Sequence, residues 1–254
     1  MRRYFAEGIG TFGVVMAGCG ALAFGSARLG MVGVACAFGV ALAAMTVALA
    51  RVSGGQFNPA VTVAMAMTGR LPWRDVGPYI AAQLAGGTAG AGVVVAIAMG
   101  RPGASPLFAE SLANGYGRMS PGYYGLGSAI VAEVALTSLL VLVTLGASRR
   151  TPLAHAAGAG LAYTLVHLVG MPVTGLAANP ARALGPALLA GGPALAQVWV
   201  FVFAPLAGAM LAGLAHRILH GASAADRHLL VADTAYRDPV CTPARAAKRP
   251  TSPP

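Results

Sequence analysis

The chain has 254 residues, of which 57% are hydrophobic and only 9% charged, with a formal net charge of +10. A soluble domain carries about a quarter charged residues, so most of this chain must face something other than water. The basic residues form short clusters between apolar runs and in the last thirty or so residues, not a basic stripe with interleaved aromatics. That distribution argues against nucleic acid as a partner.

Six apolar stretches are long enough to cross a bilayer core of about 30 Å, which requires about 20 helical residues. They lie at about 4–24, 32–50, 78–99, 126–146, 154–171 and 198–219. Two shorter stretches, at about 59–68 and 180–190, would cover only about half that thickness. Each follows an Asn-Pro pair, in which Asn is a favoured N-cap and Pro fits the first helical turn. We therefore predict six transmembrane helices and two half-helices whose N-termini point to the midplane.

The basic residues predict the orientation, because cytoplasmic loops carry an excess of Lys and Arg. Thirteen of them fall on the side of the two termini and three on the other side, with Arg182 set apart. Both termini are therefore expected in the cytoplasm. Glu7 interrupts the first apolar run, which argues against a cleaved signal peptide. Residues 220–254 are polar and basic and are expected to form a disordered cytoplasmic tail.

The chain contains an internal repeat. Three motif pairs recur at offsets of 126, 121 and 122 residues: Glu7-x-x-x-Thr11 with Glu133-x-x-x-Thr137, Asn58-Pro59-Ala60 with Asn179-Pro180-Ala181, and Gln83-Leu84-Ala85-Gly86 with Pro205-Leu206-Ala207-Gly208. Each half has three spans, so the halves enter the membrane in opposite directions, and broken helices meet near the midplane. We expect one channel domain over 1–219, with inverted repeats at about 1–122 and 123–219.

The paired boxes, with Arg182 directly after the second, resemble the aquaporin (major intrinsic protein) family over roughly residues 4–219. The loop stretches 114–117 (Asn-Gly-Tyr-Gly) and 120–122 (Ser-Pro-Gly) resemble its bacterial water-selective branch. The resemblance implies an all-α, right-handed bundle of six transmembrane helices with two re-entrant half-helices. It also implies a homotetramer with one pore per subunit, located in the bacterial inner membrane. No cofactor or metal site is indicated.

The paired boxes themselves indicate how such a pore would treat water. Half-helix N-termini carry positive dipole ends, and Asn58 and Asn179 add NH₂ donors at the same depth. A passing water would turn its oxygen toward both groups, which breaks the hydrogen-bond chain that a proton needs. Cations would meet the same positive field without their hydration shell.

Arg182 is a charge at membrane depth, where ionisable residues are usually functional. By the resemblance it forms the constriction with Phe38, His167 and Leu176, where Phe and His leave room for about one water and Arg and His supply donors. Leu176 replaces a smaller residue, and its side chain is long enough to narrow the constriction or to exclude water from it. Its backbone carbonyl can still accept a hydrogen bond from water. Gln56, expected to line the pore, stands where the family commonly has His.

Other polar and small residues within the spans are expected to be structural. By the resemblance, Glu7 and Glu133 accept backbone N–H bonds from the loops before the half-helices, whose donors need partners at that depth. Gly86, Gly90 and Gly208 are expected at helix contacts. His155 is expected to be a solvated loop residue.

Three functions fit these features to different degrees. A passive water channel fits best; a channel for glycerol or another small neutral solute keeps the fold and changes the constriction. A coupled secondary transporter also uses inverted repeats, but no acidic pair or ion-coordinating cluster is expected at the midplane. No nucleophile, base and metal set converges, so an enzyme is disfavoured.

Overall fold

The structure is a computed structural model that describes residues 1–105 and 107–220, and these residues form helices, turns and loops without a strand. The predicted tail beyond residue 220 lies outside the described residues. The helices are α1 (Arg2–Gly20), α2 (Ser26–Ser53), α3 (Pro59–Met67), α4 (Trp73–Met99), α5 (Leu126–Ala147), α6 (Pro152–Thr174), α7 (Pro180–Ala190) and α8 (Gly192–His220).

Five helical runs in the described part are long and apolar enough to cross a membrane, and the first of them covers Arg2–Ser53. A straight helix of that length would measure about 78 Å, more than twice the hydrocarbon core. The run bends at Gly30 (φ 61°, ψ −176°), a conformation that glycine adopts without a Cβ penalty. Side chains of α2 then fill the space beside Gly13 and Gly18 of α1. The run therefore forms two spans packed side by side, and the prediction of six spans is confirmed.

The two half-helices begin as the Asn-Pro pairs predict. Asn58 caps α3 by accepting from the backbone N–H of Ala60 at 2.9 Å, and Asn179 caps α7 by accepting from that of Ala181 at 2.9 Å. A proline follows each cap at the first helical position. With 9 and 11 residues, α3 and α7 are about half the length of a transmembrane span.

Glycines bring pairs of helices into backbone contact at corresponding places in the two halves. A Cβ added to Gly86 of α4 would collide with the carbonyl oxygen of Gly8 on α1, and one added to Gly208 of α8 would collide with that of Val134 on α5. These helix contacts confirm the role predicted for the glycines. Small residues permit such close approach where no water is present to drive helix association.

The prediction for His155 was wrong. Helix α6 begins at Pro152, two residues earlier than expected, with the Thr151 hydroxyl accepting from the backbone N–H of Ala154 at 3.2 Å. His155 therefore lies in the first turn of a helix and is only 6% exposed. The Thr-Pro pair is a helix-start signal that explains the earlier boundary.

Candidate pore and constriction

The buried carboxylate of Glu7 holds the loop that leads into the first half-helix. It accepts from the backbone N–H groups of Gln56 at 3.1 Å and Phe57 at 2.7 Å, and from Gln83 Nε2 at 2.7 Å. Phe57 has a positive φ of 49°, so this loop cannot satisfy its donors within a regular helix. The carboxylate supplies acceptors where lipid and packed side chains exclude water.

Glu133 on α5 does the same for the second half-helix. It accepts from the backbone N–H groups of Ala177 and Ala178, both at 2.9 Å, and from the Thr174 hydroxyl at 2.7 Å. The two sites differ in the third donor. The residue that matches Gln83 in the second half is Pro205, which has no side-chain donor.

Hydrogen bonds from the two asparagines join each half-helix to the loop before the other. Asn58 Nδ2 donates to the carbonyl of Ala178 at 2.8 Å, and Asn179 Nδ2 donates to the carbonyl of Phe57 at 2.9 Å. Because each Oδ1 is fixed as a helix cap, each NH₂ group is turned toward the opposite loop. An NH₂ group has two hydrogens, so each asparagine keeps one donor beyond this cross-link.

Arg182, on the first turn of α7, is fully buried. Its Nη1 donates to the carbonyl of Leu112 at 2.9 Å and to Asn114 Oδ1 at 3.0 Å. Nε and Nη2 have no hydrogen-bond partner among the described residues. The guanidinium carbon lies 5.4 Å from the centroid of the Phe38 ring. One edge of the guanidinium is thus anchored to the protein, while the other keeps unused donors.

His167 stacks on the same phenylalanine, with ring centroids 4.2 Å apart and planes 19° apart. Its Nδ1 lies 2.8 Å from the carbonyl of Tyr163, and Nε2 has no partner within the described part of the chain. Since a carbonyl can only accept, Nδ1 carries the proton, and Nε2 of the neutral ring is an acceptor. The sequence-based expectation that His167 donates was therefore wrong for the neutral ring.

Leu176 is fully buried, with a φ of 35°, two residues before Ala178, which also has a positive φ. Its Cδ1 packs beside Gly170 of α6, where a Cβ would stand 2.5 Å away. This methyl group is therefore engaged in packing on α6. The part that Leu176 plays in the constriction stays a prediction.

A narrow cavity of about 10 Å³ lies beside the two asparagines. That volume corresponds to about one water molecule. Gln56 and the fully buried Tyr163 line it, and neither Gln56 Oε1 nor the Tyr163 hydroxyl has a hydrogen-bond partner among residues 1–105 and 107–220. The cavity thus combines an apolar wall with a few unused polar atoms.

Comparison with known proteins decides the family. The family model described as major intrinsic protein matches residues 1–216. The chain belongs to the major intrinsic protein family. It is similar to Aquaporin Z of Rhodopseudomonas palustris, with 43% identity over 223 residues that cover 85% of this chain and 92% of the relative. Aquaporin Z of Bradyrhizobium diazoefficiens is 42% identical over 227 residues, covering 86% and 93%.

The fold also matches a solved structure of the family. The X-ray structure of the aquaglyceroporin from Plasmodium falciparum superimposes with a TM-score of 0.74, covering 91% of this chain and 98% of that one. At 20% identity this likeness shows the fold alone. The predicted family and the predicted fold class are confirmed, and as a member of this family the chain is a membrane-spanning channel protein.

The sequence did not reveal what anchors Arg182. Asn114 belongs to a loop stretch that indicated the family branch, but its contact with Arg182 spans 68 residues. Asn114 also donates to the carbonyl of Thr174 at 3.2 Å, which ties the loop to the end of α6. No spacing rule predicts such a loop contact. Only the polar character of an Asn in an otherwise apolar channel was a signal.

Proposed function

We propose that the protein is a passive channel that conducts water down an osmotic gradient and excludes protons and ions. The observation that carries the proposal is that Arg182 and His167 both lie against the ring of Phe38. Both contact Phe38, and both keep buried polar atoms that have no partner among the described residues.

These unused atoms suit water. A buried donor without a partner costs about 1–3 kcal/mol, and more when the group is charged, so a passing molecule that satisfies it is favoured. Arg182 offers N–H donors and neutral His167 offers an acceptor. A water molecule accepts from the first and donates to the second. The bulk of the two rings leaves little room for glycerol carbons.

The two half-helix N-termini at the midplane support the exclusion of protons and cations. The N-termini of α3 and α7 meet there, and their dipoles place partial positive charge at the narrow cavity. The remaining donors of Asn58 and Asn179 orient water oxygens toward this point. Positive field and oriented water together oppose both cation entry and proton hopping.

The buried carboxylates support a passive channel over a coupled transporter. Glu7 and Glu133 each accept two backbone N–H groups and at least one side-chain donor. Groups with such fixed partners are poorly suited to carry protons across the membrane. Each release and uptake of a proton would disturb the hydrogen bonds that hold the loop before a half-helix.

We further propose the assembly and placement that the family resemblance implies: a homotetramer in a bacterial inner membrane, with both termini in the cytoplasm. The inverted repeats at about 1–122 and 123–219 supply the two half-helices of each pore. The thirteen-to-three distribution of basic residues supports the orientation. Native mass spectrometry of the purified protein tests the assembly. A mass other than that of four chains would refute the homotetramer.

The decisive experiment reconstitutes the full chain into liposomes and follows their shrinkage by stopped-flow light scattering in sucrose. We expect shrinkage much faster than in empty liposomes, and slow glycerol entry in a second series. Water flux equal to that of empty liposomes would refute the proposal. Rapid glycerol entry would instead favour a channel for larger neutral solutes.

A matched pair of substitutions on α1 locates the pore. Val14 lines the narrow cavity beside the asparagines, whereas Ile9 is 44% exposed on the outer face of the same helix. Val14→Trp is expected to lower water flux at least fivefold and Ile9→Trp to leave it unchanged. Size-exclusion profiles confirm that both variants fold. Equal flux through both would place the pathway elsewhere.

A further inference from the structure

A wide vestibule adjoins one end of the narrow pore. It has a volume of about 810 Å³ and lies where the chain start and the segments after α2, α3 and α5 come together. Gln56 lines both the vestibule and the narrow cavity beside the asparagines, so the two spaces meet at this residue. The vestibule is therefore the mouth of the pore on the side of the N-terminus.

Positive charge dominates this mouth. The described residues that line it include seven arginines and no carboxylate. Arg3 forms an ion pair with Asp75 at 3.3 Å. Five of the other arginines that line the vestibule are exposed: Arg2, Arg51, Arg74, Arg149 and Arg150.

The size of the vestibule makes these charges act together. A sphere of this volume is about 12 Å across, comparable with the Debye length of about 8 Å at physiological ionic strength. The guanidinium groups are thus only partly screened from one another. Their mutual repulsion is relieved when an anion occupies the space between them.

Membrane topology accounts for the side on which these residues lie but not for their arrangement. The charge rule requires basic residues in cytoplasmic loops, and it does not require them to surround one cavity. A second observation is independent of it. His155 lines the vestibule, is only 6% exposed, and its Nε2 has no hydrogen-bond partner in the described part of the chain.

We propose that the vestibule is a binding site for a phosphate-type oxyanion. Guanidinium groups match phosphate oxygens with paired N–H donors, which makes arginine the preferred side chain for such ligands. The neutral tautomer of His155 that carries its proton on Nε2 would add an N–H donor in the wall of the vestibule. The shared chemistry fits an inorganic phosphate species in solution as well as the headgroup of an anionic phospholipid.

The chain's own C-terminal segment has the wrong charge to be the occupant. Residues 221–254 contain five basic and three acidic side chains. A segment with a net positive charge would add to the repulsion in the vestibule. An external anion is therefore the ligand that the charges select.

The test measures binding of inorganic pyrophosphate to the full-length protein in nanodiscs of neutral phosphatidylcholine by isothermal titration calorimetry. We expect saturable binding, weakened at least tenfold in the double variant Arg51→Gln/Arg150→Gln. The matched control is Arg28→Gln/Arg118→Gln, which removes the same charge from exposed positions on the other side of the membrane. This control should bind as the unaltered protein does.

A second series distinguishes the two sources of phosphate. In nanodiscs that contain phosphatidylglycerol, weaker pyrophosphate binding shows that the lipid headgroup takes the site. Unchanged pyrophosphate binding there shows that the site serves soluble oxyanions. Two outcomes overturn the proposal: absence of saturable binding in neutral lipid, or equal binding by the vestibule variant and the unaltered protein. Binding is read directly, so neither outcome depends on what the pore conducts.

Discussion

Leu176 packs directly against the backbone of Gly170. On α6, Gly170 lies one helical turn after His167. A Cβ on Gly170 would stand 2.5 Å from Leu176 Cδ1 and 3.1 Å from Leu176 Cβ. The missing side chain at 170 therefore makes the space that the long side chain at 176 occupies. This pairing explains how a leucine is accommodated beside the proposed constriction, at a position where the family often has a smaller residue.

Gly170→Ala tests this pairing. The added methyl group must push Leu176 aside, and overpacking of this kind typically costs about 1–3 kcal/mol. We expect a lower melting temperature in detergent and a lower water flux in liposomes, because the displaced side chain adjoins the constriction. The double variant Gly170→Ala/Leu176→Ala should regain stability relative to Gly170→Ala. Simple additivity of the two substitutions would show that the residues are not coupled.

The double variant Arg182→Ala/His167→Ala tests the constriction. It removes two side chains that lie against the Phe38 ring and that have polar atoms without a hydrogen-bond partner among the described residues. We expect glycerol entry into liposomes to rise at least tenfold, because the opening widens and loses the Arg182 donors and the His167 acceptor. Arg28→Ala, an exposed arginine on a different part of the chain, is the control for loss of charge. An unchanged solute profile would show that the constriction lies elsewhere.

Much of the fold was predictable because its signals are local. Apolar length defines a span, an Asn-Pro pair starts a half-helix, and three similar offsets indicate an inverted repeat. Boundaries were less predictable: α4 begins at Trp73 and α8 at Gly192, each several residues before the expected start. In α4 the charged residues Arg74 and Asp75 lower the hydropathy of the window although the backbone is already helical.

The residues of the site were predictable from the sequence, but their hydrogen-bond partners were not. Family resemblance named Phe38, His167 and Arg182, but the hydrogen-bond partners of Arg182, Leu112 and Asn114, lie 70 and 68 residues away in the chain. The tautomer of His167 follows from the carbonyl of Tyr163, and no sequence pattern specifies that contact. Burial of His155 was missed for a related reason, because its environment is made by segments far along the chain.

Glu133→Gln tests the structural role of the buried carboxylates. Glutamine has one acceptor oxygen where the carboxylate has two, so a backbone N–H of Ala177 or Ala178 would face an NH₂ group. A buried donor without a partner costs about 1–3 kcal/mol, and we expect a clear fall in melting temperature. Glu7→Gln should have a similar effect, because it disturbs the corresponding loop in the other half.

The control for this pair is Glu110→Gln, a half-buried carboxylate in the short helical turn Phe108–Leu112. The backbone N–H donors of the loops before the half-helices bond to Glu7 and Glu133, not to this carboxylate. Glu110→Gln should leave the melting temperature within error. Loss of flux in Glu133→Gln without loss of stability would contradict the structural role and reopen the case for proton coupling.

Gly86→Ala tests the backbone contact that joins α4 to α1. The added Cβ would collide with the carbonyl oxygen of Gly8, and backbone cannot move aside as a flexible side chain can. Gly92→Ala on the same helix is a matched control, since nothing lies within 4 Å of the Cβ it adds. Alanine also has the better helix propensity, by about 1 kcal/mol, so propensity alone would stabilise both variants. We therefore expect Gly86→Ala to unfold at a lower temperature than the unaltered protein and Gly92→Ala at the same or a higher one. Equal melting temperatures for the two variants would mean that α1 and α4 are not held at backbone contact.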